Sequence, residues 1–328
     1  MSAEALSGSR LDTAPAASGL EEEKDDDLRA YRIMRGVEWA GMHLPRSVGL
    51  RAAEGYMTLH FRRHAGQRAV VARNLSRVLG HPPDSTLVQR ATRECFLLYG
   101  RYWYETFALR TMTVEEVERR CTVDGLEHLD RATDAGKGIV MTLPHMGNWD
   151  AAGHWLCVRG YRMTAVAEQL ASRRVFELFL RHRRALGMNI VSLSEQHVGR
   201  TLVGLLAENH AVTLVADRDL TGRGVDVEMF GDVRKLPAGP AFLSLATGSP
   251  LSVCAVFTTA EGWHVKIGPP VEIERSGETR KDVESLTRVI AGGFERYICE
   301  APTDWHMFQP AWPDDERWAA DASVPDMG

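Results

Sequence analysis

Between residues 138 and 267 the chain alternates short β-branched apolar runs with stretches of helical length, and few folds accept that pattern. The runs are Gly138 to Leu143, Arg162 to Ala167, Asn189 to Leu193, Ala211 to Ala216, Leu251 to Phe257 and Trp263 to Ile267. Their length and their Gly, Pro and polar boundaries are those of buried strands. Between them, Ala151 to Arg159, Arg173 to Leu186, Val198 to Glu208 and Pro240 to Thr247 have helical length and composition. Strands that alternate with helices pack as a mainly parallel sheet covered on both faces. The expected fold class is therefore α/β, a central and mainly parallel sheet flanked by helices, with the last strands antiparallel. A further helix, Lys281 to Glu300, leads into Pro302 to Trp312.

The chain upstream of residue 110 has a different character. Tyr31 to Met42, Arg46 to Arg62, Gln67 to Leu79 and Ser85 to Phe107 read as helices, punctuated by Pro45, Gly66, Gly80 and Pro82-Pro83. Residues 28–110 hold fourteen Arg against five acids, interleaved with apolar and aromatic residues such as Trp39, Tyr56 and Phe61. Two readings fit: a solvated face over a core stripe, or an amphipathic surface lying on anionic lipid. Nucleic acid is not indicated, because no helix-turn-helix, zinc-ligand spacing or aromatic RNA-binding signature accompanies the charge.

Residues 1–27, with eight acids against two bases and ending in Glu21 to Asp27, read as a disordered acidic leader. Residues 313–328 read as a loose acidic tail. That leaves one domain over 28–312, made of a basic helical region (28–110) and an α/β core (120–312). No apolar run of about 18 residues predicts a transmembrane helix, and no secretory signal opens the chain. Five scattered cysteines without a C-x-x-C suit a reducing compartment.

Chemistry concentrates at Leu143-Pro144-His145-Met146-Gly147-Asn148-Trp149-Asp150, where a strand ends and a helix begins with Asn148 as its expected N-cap. Ligands bind at such junctions in α/β sheets. Within one helix, His145 and Asp150 would lie roughly 140° apart. A loop that folds back instead lets the carboxylate hold one ring nitrogen while the other faces substrate, which suits a general base. A structural histidine is the competing reading. No G-x-S-x-G elbow, complete P-loop or H-E-x-x-H is present, and no metal site is expected.

This stretch resembles the signature of the glycerophosphate/lysophospholipid acyltransferase superfamily. The chain is similar to its lipid A acyltransferase branch and, more closely, to the actinobacterial phosphatidylinositol mannoside acyltransferases. The matching segments are His145 to Asp150, Val166-Ala167-Glu168, Val215 to Leu220, Gly224 to Gly231 and Thr303 to Met307. The resemblance implies a peripheral enzyme at the cytoplasmic face of the plasma (inner) membrane, against an anionic surface. It would move a fatty acyl group from acyl-CoA, its co-substrate, to a sugar hydroxyl of a glycolipid acceptor, a mannose of phosphatidylinositol mannoside, without a cofactor.

In that chemistry His145 is the base and Asp150 its orienter, and backbone N–H groups around Gly147, Asn148 and Trp149 are candidate oxyanion donors. Glu168, Arg183, Asp217, Arg218, Asp219 and Glu228 are candidate contacts to the acceptor head, the alternative being that they cap helices or pair with one another. Arg181, Arg183 and Arg184 on the helix after Glu168 are candidates to meet the acceptor phosphate, a surface salt-bridge face being the competing explanation. Trp149, Trp155 and Phe242 are candidates for lining an acyl groove or for core packing. A lipid A-type lauroyl or myristoyl transfer, a thioesterase-like hydrolase and a non-catalytic peripheral lipid-binding protein remain the rival functions.

Overall fold

The computed structural model describes residues 17–168 and 172–313, with side chains from residue 27 onward. Four helices come first, α1 (Ala17–His43), α2 (Arg46–Arg63), α3 (Ala65–Leu79) and α4 (Thr86–Ala108). The α/β part follows as α5 (Val114–Arg120), β1 (Cys121–Asp124), α6 (Leu126–Asp134), β2 (Ile139–Leu143), α7 (Trp149–Val158), β3 (Met163–Ala167), α8 (Arg173–Ala185), β4 (Asn189–Ser192), α9 (Val198–Ala207) and β5 (Ala211–Val215). It ends with β6 (Val225–Met229), β7 (Asp232–Leu236), α10 (Gly239–Thr247), β8 (Leu251–Thr258), β9 (Trp263–Pro270) and α11 (Thr279–Glu300).

The acidic run Glu21 to Asp27, expected to be loose, belongs to α1. Asp27, the last of the run, meets Arg174 of α8 at 3.6 Å. Residues 1–16 of the expected leader, and the tail from 314, lie outside the described residues.

Seven strands form the main sheet in the order β1-β9-β8-β2-β5-β3-β4. β8, β2, β5, β3 and β4 run parallel, β9 is antiparallel to β8, and β1 is parallel to β9. The reversal expected for the last strands thus falls on β9 and not on β8. β6 and β7 form a separate antiparallel hairpin.

Every residue of β2 is buried, and its alternation divides the core. Ile139, Met141 and Leu143 pack with Leu129, Ala151 and Trp155 on one side. Val140 packs with Leu286, Ile290 and Phe294 of α11 on the other. This two-sided cover is what makes the strands near-continuous apolar runs.

In the helical layer, α1, α2 and α3 all pack on α4. Trp103 and Phe107 of α4 join Leu178 and Phe179 of α8, so this layer is seated against the α/β part. Its outer side leaves Ile33, Trp39, Val48, Tyr56 and Leu59 exposed. The exposed Arg32, Arg35 and Arg51 lie on the same helices. Among the described residues no helix is long and apolar enough to cross a membrane.

The segment after α11 returns to the loop after β2. Met146 and Trp305 form an antiparallel bridge. Gly147 N–H donates to the Asp304 carbonyl at 3.0 Å, and His306 N–H donates to the His145 carbonyl at 2.7 Å. Asn74 of α3 clamps the same segment, its amide donating at 2.9 Å to the carbonyls of Met307 and Gln309.

Candidate active site

The parallel pairing of β2 with β5 determines what meets His145. Leu143 is in register with Val215, so the residues two beyond each strand end, His145 and Asp217, emerge side by side. His145 Nδ1 lies 2.5 Å from Asp217 Oδ1, and the His145 backbone N–H donates to Asp217 Oδ2 at 3.1 Å. Trp305 Nε1–H donates to the same Oδ2 at 2.8 Å. The Arg234 guanidinium, on β7, donates to the Asp217 carbonyl.

Asp217 is fully buried while the His145 side chain keeps 15% of its surface exposed. Burial works against charge on Asp217 but is outweighed by His145, by the hydrogen bonds from His145 and Trp305, and by Arg234. Its carboxyl therefore stays well below the usual carboxylate range. With Nδ1 held by an ionised carboxylate, Nε2 is the nitrogen left to act on a ligand.

Asp150 does not have the place expected for it. On the first turn of α7, it is 1% exposed and accepts from Arg183 Nε at 2.6 Å, Arg183 Nη2 at 3.2 Å and the Tyr102 hydroxyl at 3.0 Å. Burial is again outweighed, here by Arg183, His182 and Tyr102, and the carboxyl is held below its ordinary value. Closeness in sequence suggested the pair His145–Asp150, whereas strand adjacency supplies the real partner, Asp217. Asp150 and Arg183 instead form a bidentate buried ion pair that ties α7 to α8.

The loop between His145 and α7 turns sharply at Gly147, whose φ is +59°. A Cβ there would stand 2.1 Å from the Val256 carbonyl oxygen, so only glycine fits. Asn148 caps α7 as expected, its side-chain oxygen accepting from Ala151 N–H at 3.0 Å. Because Gly147 N–H is committed to Asp304, the expected oxyanion donors narrow. The first-turn N–H groups of Trp149 and Asp150 have no partner within their own helix.

His145 opens onto a cavity of about 420 Å³ whose wall includes Tyr102, Trp149, Asp150 and Arg183. The Trp149 ring stands edge-on to His145, centroids 5.4 Å apart, and packs on Tyr102 at 4.4 Å. Glu168 and Arg218 also line this cavity and lie 3.6 Å from each other. Asp219 lines it too, but its carboxylate folds its own turn, accepting from Thr221 N–H at 3.0 Å and Gly224 N–H at 2.8 Å.

Glu228 is exposed on β6 and outside the cavity lining, because alternation on that strand buries Val227 and Met229 instead. Arg181 and Arg184 are exposed on α8 and likewise outside it. Trp149 and Trp155 share a second, narrow apolar cavity with Leu143, Met163, Val256 and Ile267, whereas Phe242 is 53% exposed.

No sequence motif singles out Tyr102, Arg234 or Trp305, although Trp305 lies in a segment that does carry the resemblance. His306 beside the site is fully buried, and burial followed by the neighbouring His145 charge pushes it down to about 3, so it stays neutral. His60 and His64 on the helical layer stack at 3.8 Å. Among the described residues no group of three or more His, Cys, Asp or Glu is placed to hold a metal ion.

Comparison with known proteins gives a consistent picture. The family model for bacterial lipid A biosynthesis acyltransferases matches residues 28–313. A phosphatidylinositol mannoside acyltransferase of Mycobacterium tuberculosis (strain CDC 1551 / Oshkosh) is 39% identical over 259 residues, covering 77% of this chain and 79% of that protein. The phosphatidylinositol mannoside acyltransferase of Mycolicibacterium smegmatis is 36% identical over 277 residues, covering 83% and 89%.

Proposed function

The chain belongs to the bacterial lipid A biosynthesis acyltransferase family, and from that premise we propose that this glycolipid acyltransferase moves a fatty acyl group from acyl-CoA to a mannose hydroxyl of a phosphatidylinositol mannoside. The observation that carries the mechanism is His145 Nδ1 held at 2.5 Å by the buried Asp217, with the imidazole opening on a cavity.

A sugar hydroxyl is too weak an acid to attack a thioester unaided near pH 7, and an imidazole within hydrogen-bond reach supplies the missing base. His145 Nε2 takes the hydroxyl proton as the oxygen bonds to the thioester carbonyl carbon. Asp217 fixes the tautomer and stabilises the imidazolium, as the acid does in a Ser-His-Asp triad. Charge gathers on the former carbonyl oxygen in the tetrahedral intermediate, and the positive end of α7 supplies the donors. Collapse breaks the C–S bond, and the departing coenzyme A thiolate takes up the proton that His145 holds. No step calls for a metal or a redox cofactor.

Asp150 serves this chemistry through Arg183 and Tyr102, which it pins in the cavity wall. The donor chain passes Trp149, whose indole borders both spaces, and must widen the narrow apolar cavity beyond it, which measures only about 30 Å³. The enzyme works as a peripheral protein on the anionic cytoplasmic face of the plasma membrane. Support for this is the exposed Trp39 and Tyr56 among arginines on the helical layer.

The test is acyl transfer from radiolabelled acyl-CoA with and without the glycolipid. His145→Ala abolishes transfer while circular dichroism and vesicle binding stay unchanged. Transfer at the wild-type rate by a folded variant refutes the mechanism. Release of coenzyme A that ignores the acceptor favours a hydrolase instead.

A further inference from the structure

α1 and α2 each lean on α4 more than on each other, and the gap between them is a second large space, separated from the catalytic one by Trp103. It measures about 460 Å³ and is walled by Ile33, Gly36 and Val37 of α1 and by Ala52, Ala53 and Tyr56 of α2. These positions form one face on each helix, at spacings of three and four. A facing pair of helices would ordinarily close such stripes on each other, and small residues would let them approach closely. Here the stripes stay apart, and Trp103 floors the groove while also lining the catalytic cavity. Polar atoms cluster at one end, where His60 Nε2 meets Gln67 Oε1 at 2.8 Å.

What surrounds the groove indicates its occupant. Arg32, Arg35 and Arg51, each next in sequence to a wall residue, are exposed, Arg35 pairing with Glu38, against one exposed acid so placed, Glu54 beside Ala53. Ile33 and Tyr56 are both wall residues and exposed side chains, at 39% and 49%, so the apolar surface continues from the groove to the outside. An apolar slot rimmed by cations matches a ligand that is apolar along its length and anionic at its head. We propose that this groove binds one acyl chain of an anionic bilayer phospholipid, with the phosphate at the arginine rim. The proposal rests on the membrane-surface reading above, but not on the acyl-transfer chemistry. A lipid held there anchors the helical layer with Trp103 between its chain and the catalytic cavity.

Gly36→Leu tests the assignment. A Cβ at Gly36 meets nothing within 4 Å, and leucine favours a helix over glycine, so the variant fills the groove without straining the fold. Delipidated full-length protein is incubated with phosphatidylglycerol vesicles or phosphatidylcholine vesicles, which are then sedimented. Lipid carried by the soluble protein is measured by mass spectrometry, and protein in the pellet reports vesicle binding.

The wild type is expected to retain about one phosphatidylglycerol per chain and far less phosphatidylcholine. Gly36→Leu should lower retention at least fivefold with pelleting and melting temperature kept. Equal retention by Gly36→Leu, or pelleting by the wild type without retained lipid, overturns the groove assignment. A dimer abolished by Gly36→Leu in the absence of retained lipid overturns it in favour of a second copy of the chain. Absence of binding to either vesicle refutes the membrane reading itself.

Discussion

Replacing Asp217 by asparagine changes one atom and, in this setting, fixes which way the new amide must point. Oδ2 accepts two N–H groups, from the His145 backbone at 3.1 Å and from Trp305 Nε1 at 2.8 Å. The asparagine oxygen has to take that position, since an NH2 group there would face two donors. The NH2 group therefore falls where Oδ1 stood, 2.5 Å from His145 Nδ1 in the wild type. Nδ1 becomes an acceptor, the proton moves to Nε2, and the nitrogen facing substrate can no longer take one. A wrong tautomer of this kind in a serine protease costs about 10⁴-fold in turnover. For Asp217→Asn the expected fall in kcat is thus 10³- to 10⁴-fold, roughly 4–5.5 kcal/mol of barrier.

Because the tautomer decides proton transfer and not how the acyl chain and the acceptor head are held, KM should stay close to wild type. Single-turnover transfer from radiolabelled acyl-CoA measures the rate, and near-ultraviolet circular dichroism checks the fold. A kcat within tenfold of wild type in a folded Asp217→Asn protein refutes the reasoning. So does a larger loss from Asp150→Asn at unchanged stability, since that would return the orienting role to Asp150.

Arg183→Met leaves the Asp150 carboxylate buried without its cation, so stability should drop by about 3–5 kcal/mol, or roughly 10 °C in melting temperature; a drop under 2 °C contradicts the buried pair. Gly147→Ala combines a left-handed backbone with a Cβ 2.1 Å from the Val256 carbonyl oxygen, and calorimetry should show a loss of at least about 2 kcal/mol. Arg234→Met removes the guanidinium that donates to the Asp217 carbonyl and helps hold that residue under His145, so kcat should fall by about tenfold with KM kept and partial return in Arg234→Lys; an unchanged kcat counts against that role. Asp304 has the opposite sign from Asp217: burial raises it to about 6, so the folded state is penalised above that pH and relieved as pH falls toward about 4. Asp304→Asn should therefore raise the melting temperature more at pH 8 than at pH 5, and an equal gain at both refutes the assignment.

The strands of the sheet interior were readable because burial on both faces forces apolar, β-branched composition on them. β1 escaped that reading since it is four residues long, lies at the sheet edge and has one fully buried position, Cys121. The β6–β7 hairpin stands outside the sheet, and its charged Asp226, Glu228, Arg234 and Lys235 mask the alternation of Val225, Val227 and Met229. For the site, His145 was legible from its junction and Asn148 from its capping role. The partner was not, because strand order is a long-range property. β3 and β4 intervene in sequence between β2 and β5, yet β5 pairs directly with β2. Asp217, seventy-two residues from His145, is nearer in space than any local pattern reveals. Arg234 and Tyr102 were hidden for the same reason, being contributed by a hairpin and a helix far away along the chain.

The bridge between Met146 and Trp305 also bears on the order of events during synthesis. The loop that carries His145 emerges from the ribosome about 160 residues ahead of its strand-like partner, Asp304 to His306. Closing so long a loop is entropically costly and comes late. Trp305, which steadies Asp217, arrives in that same later stretch, and so does the segment that Asn74 of α3 clamps. A nascent chain therefore carries its base without the Trp305 contact until that segment has emerged. A product ending at residue 300 would hold every strand of the sheet yet lack the Trp305 donor to Asp217 and the strap on the His145 loop, and is expected to transfer no acyl group.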